Sequence, residues 1–285
     1  MRIFGPRCTL GEGPLWHPGQ QRLYWFDIPA GRLHACNALG GQAHAWEFGE
    51  PASAAGWLDT ENLLVATASG LQKLDLTTGQ WDEVVALEAD NPVTRSNDGR
   101  IGPDGSFWIG TMARDGSPRE GAFYRYRKGQ LHCLAKPISI PNATCFSPDG
   151  KTAYLADTRK QVIWRWPLDE LGNPVGERLV HINLREENLN PDGAVCDAEG
   201  YLWNAQWGAW QIARYAPDGS LDRVIELPVA QPTCPAFGGA DLKTLFITTA
   251  TENLTEKNLE KQPDAGMTLA IELNVEGLPE HRAVI

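Results

Sequence analysis

A repeat of short apolar triplets constrains the fold of this chain more than any other sequence feature. Six triplets rich in aromatic and aliphatic residues each follow a turn signal. They are Leu23-Tyr24-Trp25, Leu63-Leu64-Val65, Phe107-Trp108-Ile109, Ala153-Tyr154-Leu155, Tyr201-Leu202-Trp203 and Leu245-Phe246-Ile247. Successive triplets begin 40 to 48 residues apart. A fixed period of roughly 40 to 50 residues is typical of propeller blades, so the sequence predicts six blades.

The segments between the triplets predict further strands and no long helices. Segments such as "GLQKLDL", "GAFYRYR" and "VIWRWPL" follow the triplets, and 29 glycines and 20 prolines supply turns between them. A doubly wound α/β fold needs long amphipathic segments, which this chain lacks. We therefore predict an all-β fold in which residues 1–285 form a single six-bladed β-propeller domain around a central channel. The opening "MRIFG" is expected to close the ring against the last blade.

The net charge narrows the classes of partner. The net charge of −11 argues against nucleic acid and anionic membranes as partners, because both attract basic surfaces.

The sequence has no apolar run of about 18 residues that could span a bilayer, and its start lacks a secretory signal pattern. Six cysteines are scattered without a CxxC pair, which favours buried thiols. We expect a cytoplasmic protein that is a monomer or a weak homo-oligomer.

One Pro-Asp-Gly triplet is out of phase with the turns of the repeat. Pro-Asp-Gly occurs four times and is a strong turn signal. The copy that contains Asp192 places this residue nine positions before its apolar triplet, where the first strand of a blade should begin. Glu12, Asn97 and Asn142 hold the same place in three other blades, 10 or 11 residues before their triplets. These four polar side chains are predicted to converge at the channel mouth.

The four converging side chains predict a bound cation. Each of them alone also fits an ordinary turn or a solvated surface position, and only their shared phase favours a common site. Two carboxylates and two amides in a narrow channel repel one another or stay unsatisfied unless a positive charge lies among them. Oxygen donors of this kind suit Ca²⁺, Mg²⁺ or Mn²⁺, and Zn²⁺ or Fe²⁺ can also accept them. We expect one divalent metal ion, with its identity open.

Several segments resemble one enzyme family. "LGEGPLW", "RSNDGRIGPDGSFWIGTM", "IPNATCFSPDGKTAYLADT", "NPDGAVCDAEGYLWNAQW" and "PAFGGADLKTLFITTA" occur in this order over nearly the whole chain. They are similar to the signature segments of the family of senescence marker protein (regucalcin), gluconolactonase and luciferin-regenerating enzyme. The resemblance implies a six-bladed propeller that hydrolyses sugar lactones with one divalent metal in its central channel.

The resemblance also implies roles for individual residues. The metal ligands would be Glu12, Asn142 and Asp192, and Asp192 would in addition act as the general base. Arg95 and Asn97 match positions that contact substrate, and Asp98 is the acidic residue that follows them. These three residues are therefore expected to form the substrate-binding set.

Two departures from the family pattern bear on the site. Ala143 stands where a glycine commonly follows the ligand asparagine, and its methyl group is expected to narrow the channel slightly. After "GTM", where some members place an acidic residue that contacts substrate, this chain continues with Ala113, Arg114 and Asp115, so the sugar specificity does not transfer. Trp207 and Trp210 could stack on a sugar or pack within their blade.

The resulting functional prediction is metal-dependent hydrolysis of an aldonolactone such as gluconolactone. Motifs of serine hydrolases, zinc proteases, P-loop enzymes and dinucleotide-binding enzymes are missing, and none of the six histidines falls in the ligand phase. Two alternatives remain open at this point. The protein could be a Ca²⁺-binding regulatory protein without turnover, or a scaffold that binds partners on the propeller faces.

Overall fold

The computed structural model describes all residues from 1 to 285 and contains six four-stranded antiparallel sheets. Strand β1 (Arg2–Phe4) belongs to the sixth sheet. The first sheet contains β2 (Gly11–His17), β3 (Arg22–Asp27), β4 (Arg32–Asn37) and β5 (His44–Glu47). The second contains β6 (Ala52–Trp57), β7 (Asn62–Thr67), β8 (Gly70–Asp75) and β9 (Trp81–Ala86). The third contains β10 (Thr94–Ile101), β11 (Phe107–Ala113), β12 (Gly121–Arg127) and β13 (Gln130–Ile138).

The remaining three sheets repeat the same order of strands. The fourth contains β14 (Pro141–Phe146), β15 (Thr152–Asp157), β16 (Val162–Pro167) and β17 (Leu179–Asn183). The fifth contains β18 (Asn190–Cys196), β19 (Leu202–Trp207), β20 (Gln211–Tyr215) and β21 (Leu221–Glu226). The sixth contains β22 (Pro232–Gly238), β23 (Thr244–Thr249), β24 (Thr268–Glu272) and β1. Each sheet is one blade, so the all-β six-bladed propeller predicted from the repeat is confirmed.

The apolar triplets form the second strand of every blade. Leu23, Tyr24 and Trp25 in β3 are at most 1% exposed, because this strand is covered by neighbouring blades on both faces. A strand buried on both faces needs a continuous apolar run, which is why the triplets do not alternate with polar residues. The hydrophobic core therefore lies between the blades.

The N-terminal segment closes the ring. Strand β1 pairs antiparallel with β24, with Arg2 opposite Ala270 and Phe4 opposite Thr268. This pairing confirms the role predicted for the first five residues, and it leaves no blade with a missing outer strand. The hydroxyl of Thr233 on β22 also donates to the carbonyl of Gly11 on β2, at 2.5 Å.

The C-terminal tail packs against the ends of the first strands of several blades. The backbone amides of Ala283 and Val284 donate to the carbonyls of Trp57 and Gly105, at 2.8 and 2.9 Å. The carboxylate of Glu280 forms a buried ion pair with Arg100 of β10. These contacts join the tail to the turns at the far end of the first strands. The tail has no repeat period, so no sequence pattern predicts this position.

Helical structure is limited to two short segments. Helix α1 (Glu256–Lys261) lies in the long connection after β23, and its N-terminus is capped by the side chain of Thr255. A 3-10 turn, Thr158–Lys160, follows β15. Neither segment approaches the length and apolarity that crossing a membrane would require.

Candidate functional site

A cavity of about 470 Å³ lies where the first strands of the blades begin. Five of the predicted site residues line it together: Glu12, Arg95, Asn97, Asn142 and Asp192. They come from the first strands of the first, third, fourth and fifth blades. The structure thus brings together the four polar residues that share a position in the repeat.

The first strands are irregular at the level of the site residues. In five blades, two residues of the first strand face a single residue of the second strand, and the second blade has a shorter irregularity there. The bulged residues are Gly13-Pro14, Asn97-Asp98, Ala143-Thr144, Asp192-Gly193 and Thr233-Cys234. Asn97 and Asp192 belong to these bulges, and Glu12 and Asn142 directly precede them. A bulge bends the strand and redirects side chains, so the site residues need not follow the regular alternation of a strand.

Glu12 is held by the backbone that follows it. Its side chain is 5% exposed, and the amide of Gly13 donates to Oε2 at 3.0 Å. Gly13 has a φ of 54°, a left-handed conformation that favours glycine. Burial, together with the nearby charge of Asp98, raises the pKa of the Glu12 carboxyl to about 8. Without a cation, the charged form of this carboxyl is therefore disfavoured.

Asp192 lies in a similar environment. Its side chain is 5% exposed, and the pKa of its carboxyl is raised well above the usual value by burial first and then by the charges of Glu12 and Asp98. Neither Glu12 nor Asp192 belongs to an ion pair. Two buried carboxylates that face one cavity and form no ion pair are the donors that a divalent cation would stabilise.

A chain of hydrogen bonds fixes the amide of Asn142. Asn97 Nδ2 donates to Asn142 Oδ1 at 3.0 Å, and Asn142 Nδ2 donates to Thr158 Oγ1 at 2.8 Å. Thr158 Oγ1 in turn donates to the carbonyl of Pro191 at 2.7 Å. Because the amide nitrogen is engaged with Thr158, the oxygen of Asn142 is kept on the side of the cavity.

Arg95 approaches the same network from the third blade. Its guanidinium donates to Asn97 Oδ1 and to the carbonyl of Ser96, both at 2.8 Å. Burial lowers the pKa of Arg95, whereas the nearby carboxylates of Glu252 and Glu12 act in the opposite direction. The remaining donors of the guanidinium can reach a bound molecule in the cavity.

The donor set fits a hard cation only if an amide oxygen takes part. The structure contains no cluster of three or more His, Cys, Asp or Glu side chains that could hold a metal ion. Two carboxylates, from Glu12 and Asp192, and the amide oxygen of Asn142 are available at the cavity. Oxygen donors of these kinds are those used for Ca²⁺ and Mg²⁺, so the residues present fit such an ion.

Three residues lie elsewhere than the sequence suggested. Asp98 does not line the cavity; its carboxylate accepts a hydrogen bond from the amide of Thr144, at 2.7 Å, and ties the third blade to the fourth. Ala143 also lies outside the lining and packs, fully buried, between the fourth and fifth blades, so its methyl group does not narrow the cavity. Trp207 lines the cavity, but Trp210 does not and is 40% exposed.

The rim of the cavity contains charged residues that lie outside the first strands, so the spacing that predicts the other site residues does not predict them. Arg114 follows β11, Arg159 follows β15, and Glu252 follows β23. Since the second strands of the blades all end at this level, the residues that follow them meet around the mouth. Aligning the segments that follow the apolar triplets would predict this group from the sequence.

Comparison with known proteins places the chain in a family. The family model described as the SMP-30/Gluconolactonase/LRE-like region matches residues 10–251. The 6-deoxy-6-sulfogluconolactonase of Pseudomonas putida is 37% identical over 277 residues, which cover 95% of this chain and 94% of that protein. The L-arabinolactonase of Azospirillum brasilense is 35% identical over 265 residues, which cover 91% of this chain and 87% of that protein.

A solved structure agrees with this placement. The calcium-binding protein regucalcin of Agrobacterium tumefaciens superimposes with a TM-score of 0.96 at 38% sequence identity. The match covers 98% of this chain and 95% of that protein. With the family model matching most of the chain and the relatives aligned over nearly their full length, this protein belongs to the SMP-30/gluconolactonase/LRE-like family.

Proposed function

We propose that the protein hydrolyses a sugar lactone to the sugar acid, with one divalent metal ion bound by Glu12, Asn142 and Asp192. The observation that carries the proposal is the convergence of these three oxygen donors with Arg95 on one axial cavity. The relatives named above support the reaction class, since two of them are described as lactonases.

The hydrogen bonds support the division between metal ligands and substrate-binding residues. Asn97 shares the repeat position of the ligands, but its Oδ1 accepts from Arg95 and its Nδ2 donates to Asn142. Asn97 therefore orients a ligand and meets substrate together with Arg95. Asp98, buried beside Thr144, acts on the site through its charge and through the position of its strand.

The metal ion would contribute Lewis acidity, stabilising the charge that develops on the lactone carbonyl oxygen by several kcal/mol. Its identity is open among Ca²⁺, Mg²⁺, Mn²⁺, Zn²⁺ and Fe²⁺, all of which accept oxygen donors. A calcium-binding relative of 38% identity makes Ca²⁺ the first ion to test.

The protein's own residues position water and substrate and move the proton. Asp192 accepts a proton as the oxygen of the attacking water bonds to the carbonyl carbon. The bond from that carbon to the ring oxygen then breaks, and the proton passes from Asp192 to the departing ring oxygen, which gives the hydroxy acid. Arg95 holds sugar oxygens with its fork of donors, and Trp207 offers an aromatic face to the ring.

A lactone panel tests this function. Initial rates would be followed with a pH indicator for neutral aldonolactones with five- and six-membered rings, using chelated protein with each metal added back. We expect turnover above the spontaneous rate that needs added metal. Turnover of none of these lactones, nor of charged ones, with any of the metals would contradict the proposal.

A second candidate is calcium binding without turnover. It is favoured by the solved structure of the calcium-binding regucalcin, which shares the fold and 38% of its sequence with this chain. Stoichiometric Ca²⁺ binding by calorimetry, combined with no lactone turnover in the same preparation, would favour this candidate.

We further infer a setting for the enzyme. Its six cysteines are free in the structure, and five of them are buried, which suits a reducing compartment such as the cytoplasm. The proposed partner is a small sugar lactone, and residues 1–285 are proposed to act as a single domain.

A further inference from the structure

We propose that the lactone carries an anionic group at the end of the sugar remote from its carbonyl, and that Arg114 and Arg159 bind this group. The inference rests on the proposed lactonase function and names the substrate class of the same cavity. Both arginines line the cavity, and both are exposed at its rim.

The two arginines lie in neighbouring segments of the rim. The amide of Arg114 donates to the carbonyl of Val93, at 2.8 Å, just before the strand that contains Arg95. The guanidinium of Arg159 crosses from the fourth blade and donates to the carbonyl of Gly116, at 2.6 Å, in the loop that follows Arg114. The two side chains therefore belong to adjacent blades that are tied together at the rim.

Neither arginine is paired with a carboxylate. All nine ion pairs of the structure lie elsewhere. Asp115 neighbours Arg114 in sequence, but its Oδ1 accepts from the amide of Ser117, at 2.8 Å, within its own turn. Both guanidinium groups therefore keep N–H donors available for an anion bound in the cavity.

The charge at the mouth is also one-sided. Asp115 also lines the cavity and offsets one of the two rim arginines, so the third and fourth blades keep a net positive charge at the mouth. Glu252 follows β23 of the sixth blade, whereas Arg114 follows β11 of the third. In a ring of six blades these two face each other across the axis. An anionic group is therefore attracted to the side of the third and fourth blades and repelled from the opposite side, which would orient a charged lactone in the cavity.

The guanidinium chemistry defines the ligand class. Arginine presents a planar fork of donors that matches phosphate, sulfonate and carboxylate oxygens. A cavity of about 470 Å³ is within the roughly 300–1,000 Å³ of small-molecule sites, so it can hold a sugar ring together with such a group. Phosphate, sulfonate and carboxylate all present oxyanions at the end of the sugar, and lactones that carry each of them distinguish the three groups by experiment.

The test compares a neutral aldonolactone with counterparts that carry phosphate, sulfonate or carboxylate on the terminal carbon. We expect kcat/KM to be about tenfold or more higher for at least one charged lactone. Arg114→Gln and Arg159→Gln should each lower that kcat/KM about tenfold, equivalent to about 1.4 kcal/mol, with less than about a twofold change for the neutral lactone. Arg119→Gln is the matched control, since Arg119 is exposed near the same loop but does not line the cavity.

Other results separate this inference from the proposed function. Equal kcat/KM for neutral and charged lactones, or equal losses on both in the arginine variants, would overturn the inference and leave the lactonase function standing. If no lactone is hydrolysed, the function fails, and calorimetry with the charged and neutral sugar acids still tests the arginines. Tighter binding of the charged acid that is lost in Arg114→Gln supports the inference, and equal binding of both acids overturns it.

Discussion

At the scale of single residues, two buried carboxylates dominate the cavity. Glu12 and Asp192 are each 5% exposed, and burial raises the pKa of both. The same oxygens would be stabilised as anions beside a divalent cation. Their shared position in the repeat can be recognised in the sequence, because it depends only on the number of residues between each of them and the following apolar triplet. The buried place of Asp98 is not visible there, because a bulge decides which of two neighbouring residues faces the cavity.

Replacing the two carboxylates separates a metal ligand from a base. Asp192→Asn keeps an oxygen donor but removes the proton acceptor, so kcat should fall roughly 10²-fold or more at saturating metal. Glu12→Gln removes a charge from the metal site but leaves the proton acceptor in place, so excess metal should partly restore its kcat. Metal content by plasma emission and kcat across a metal titration check both. Full rescue of Asp192→Asn by metal would leave Asp192 a ligand only.

The glycine that follows Glu12 should be intolerant of a side chain. A Cβ at Gly13 would overlap the carbonyl oxygen of Ser53, so Gly13→Ala should destabilise the fold and weaken metal binding. Gly49→Ala is the matched control, because Gly49 also has a positive φ but nothing lies within 4 Å of the position that its Cβ would take. Urea unfolding should show about 1 kcal/mol lost for the control, the usual scale of left-handed strain, and more for Gly13→Ala. Equal losses would show that the clash is relieved.

At the scale of elements, the repeated strand is predictable and the elements outside the repeat are not. The triplets mark the second strands because full burial on two faces demands an apolar run. The C-terminal tail lacks regular secondary structure and a period, so its place against Arg100 follows only from tertiary contacts. Arg100 also donates to the carbonyl of Thr144, at 3.2 Å, beneath the site. The tail therefore supports the strands that carry the ligands.

Breaking the tail's ion pair should destabilise the protein. The side chains of Arg100 and Glu280 are 11% and 8% exposed, and removing one partner of a buried pair costs about 3–5 kcal/mol because the other charge stays unpaired. We expect Glu280→Gln to lower the free energy of unfolding by about that amount in urea titrations. Glu272→Gln is the control, since its ion pair with Arg2 is exposed and is worth about 1 kcal/mol or less. Similar effects of the two variants would refute a supporting role for the tail.

At the scale of the whole molecule, the ring and the cavity depend on each other. The first and last blades are joined through the hydrogen bond from Thr233 to Gly11, and the N-terminal strand completes the last blade. The site draws residues from the first, third, fourth and fifth blades. A cation bound by three blades would link them across the axis. Binding to the folded state alone stabilises a protein by about 2.7 kcal/mol at a ligand concentration of about 100 Kd, so the metal should be a stabilising part of the fold.

The pH dependence of stability should reveal the buried carboxylate when metal is removed. The pKa of Glu12 rises from 4.5 to about 8 on folding, so the folded state holds a proton that the unfolded state releases between these values. Stability should therefore fall as pH rises from about 4.5 to 8, by at most about 1.4 kcal/mol per pH unit for this group. Urea unfolding of chelated protein and of chelated Glu12→Gln across this range isolates the contribution of Glu12.

Adding metal is the control for this experiment. A saturating divalent cation should remove or reverse the fall, because the bound carboxylate is ionised in the folded state as well. The same decline in the wild-type protein, the Glu12→Gln variant and the metal-loaded protein would show that Glu12 does not contribute to it.

The most direct measurement is the position of a bound cation. Crystals of the protein soaked with Mn²⁺ would be measured for anomalous scattering. We predict one strong peak in the axial cavity, with oxygens of Glu12, Asn142 and Asp192 about 2.0–2.6 Å from it. A peak bonded to other residues, or a cavity without a peak while Mn²⁺ binds elsewhere, would contradict the proposed metal site.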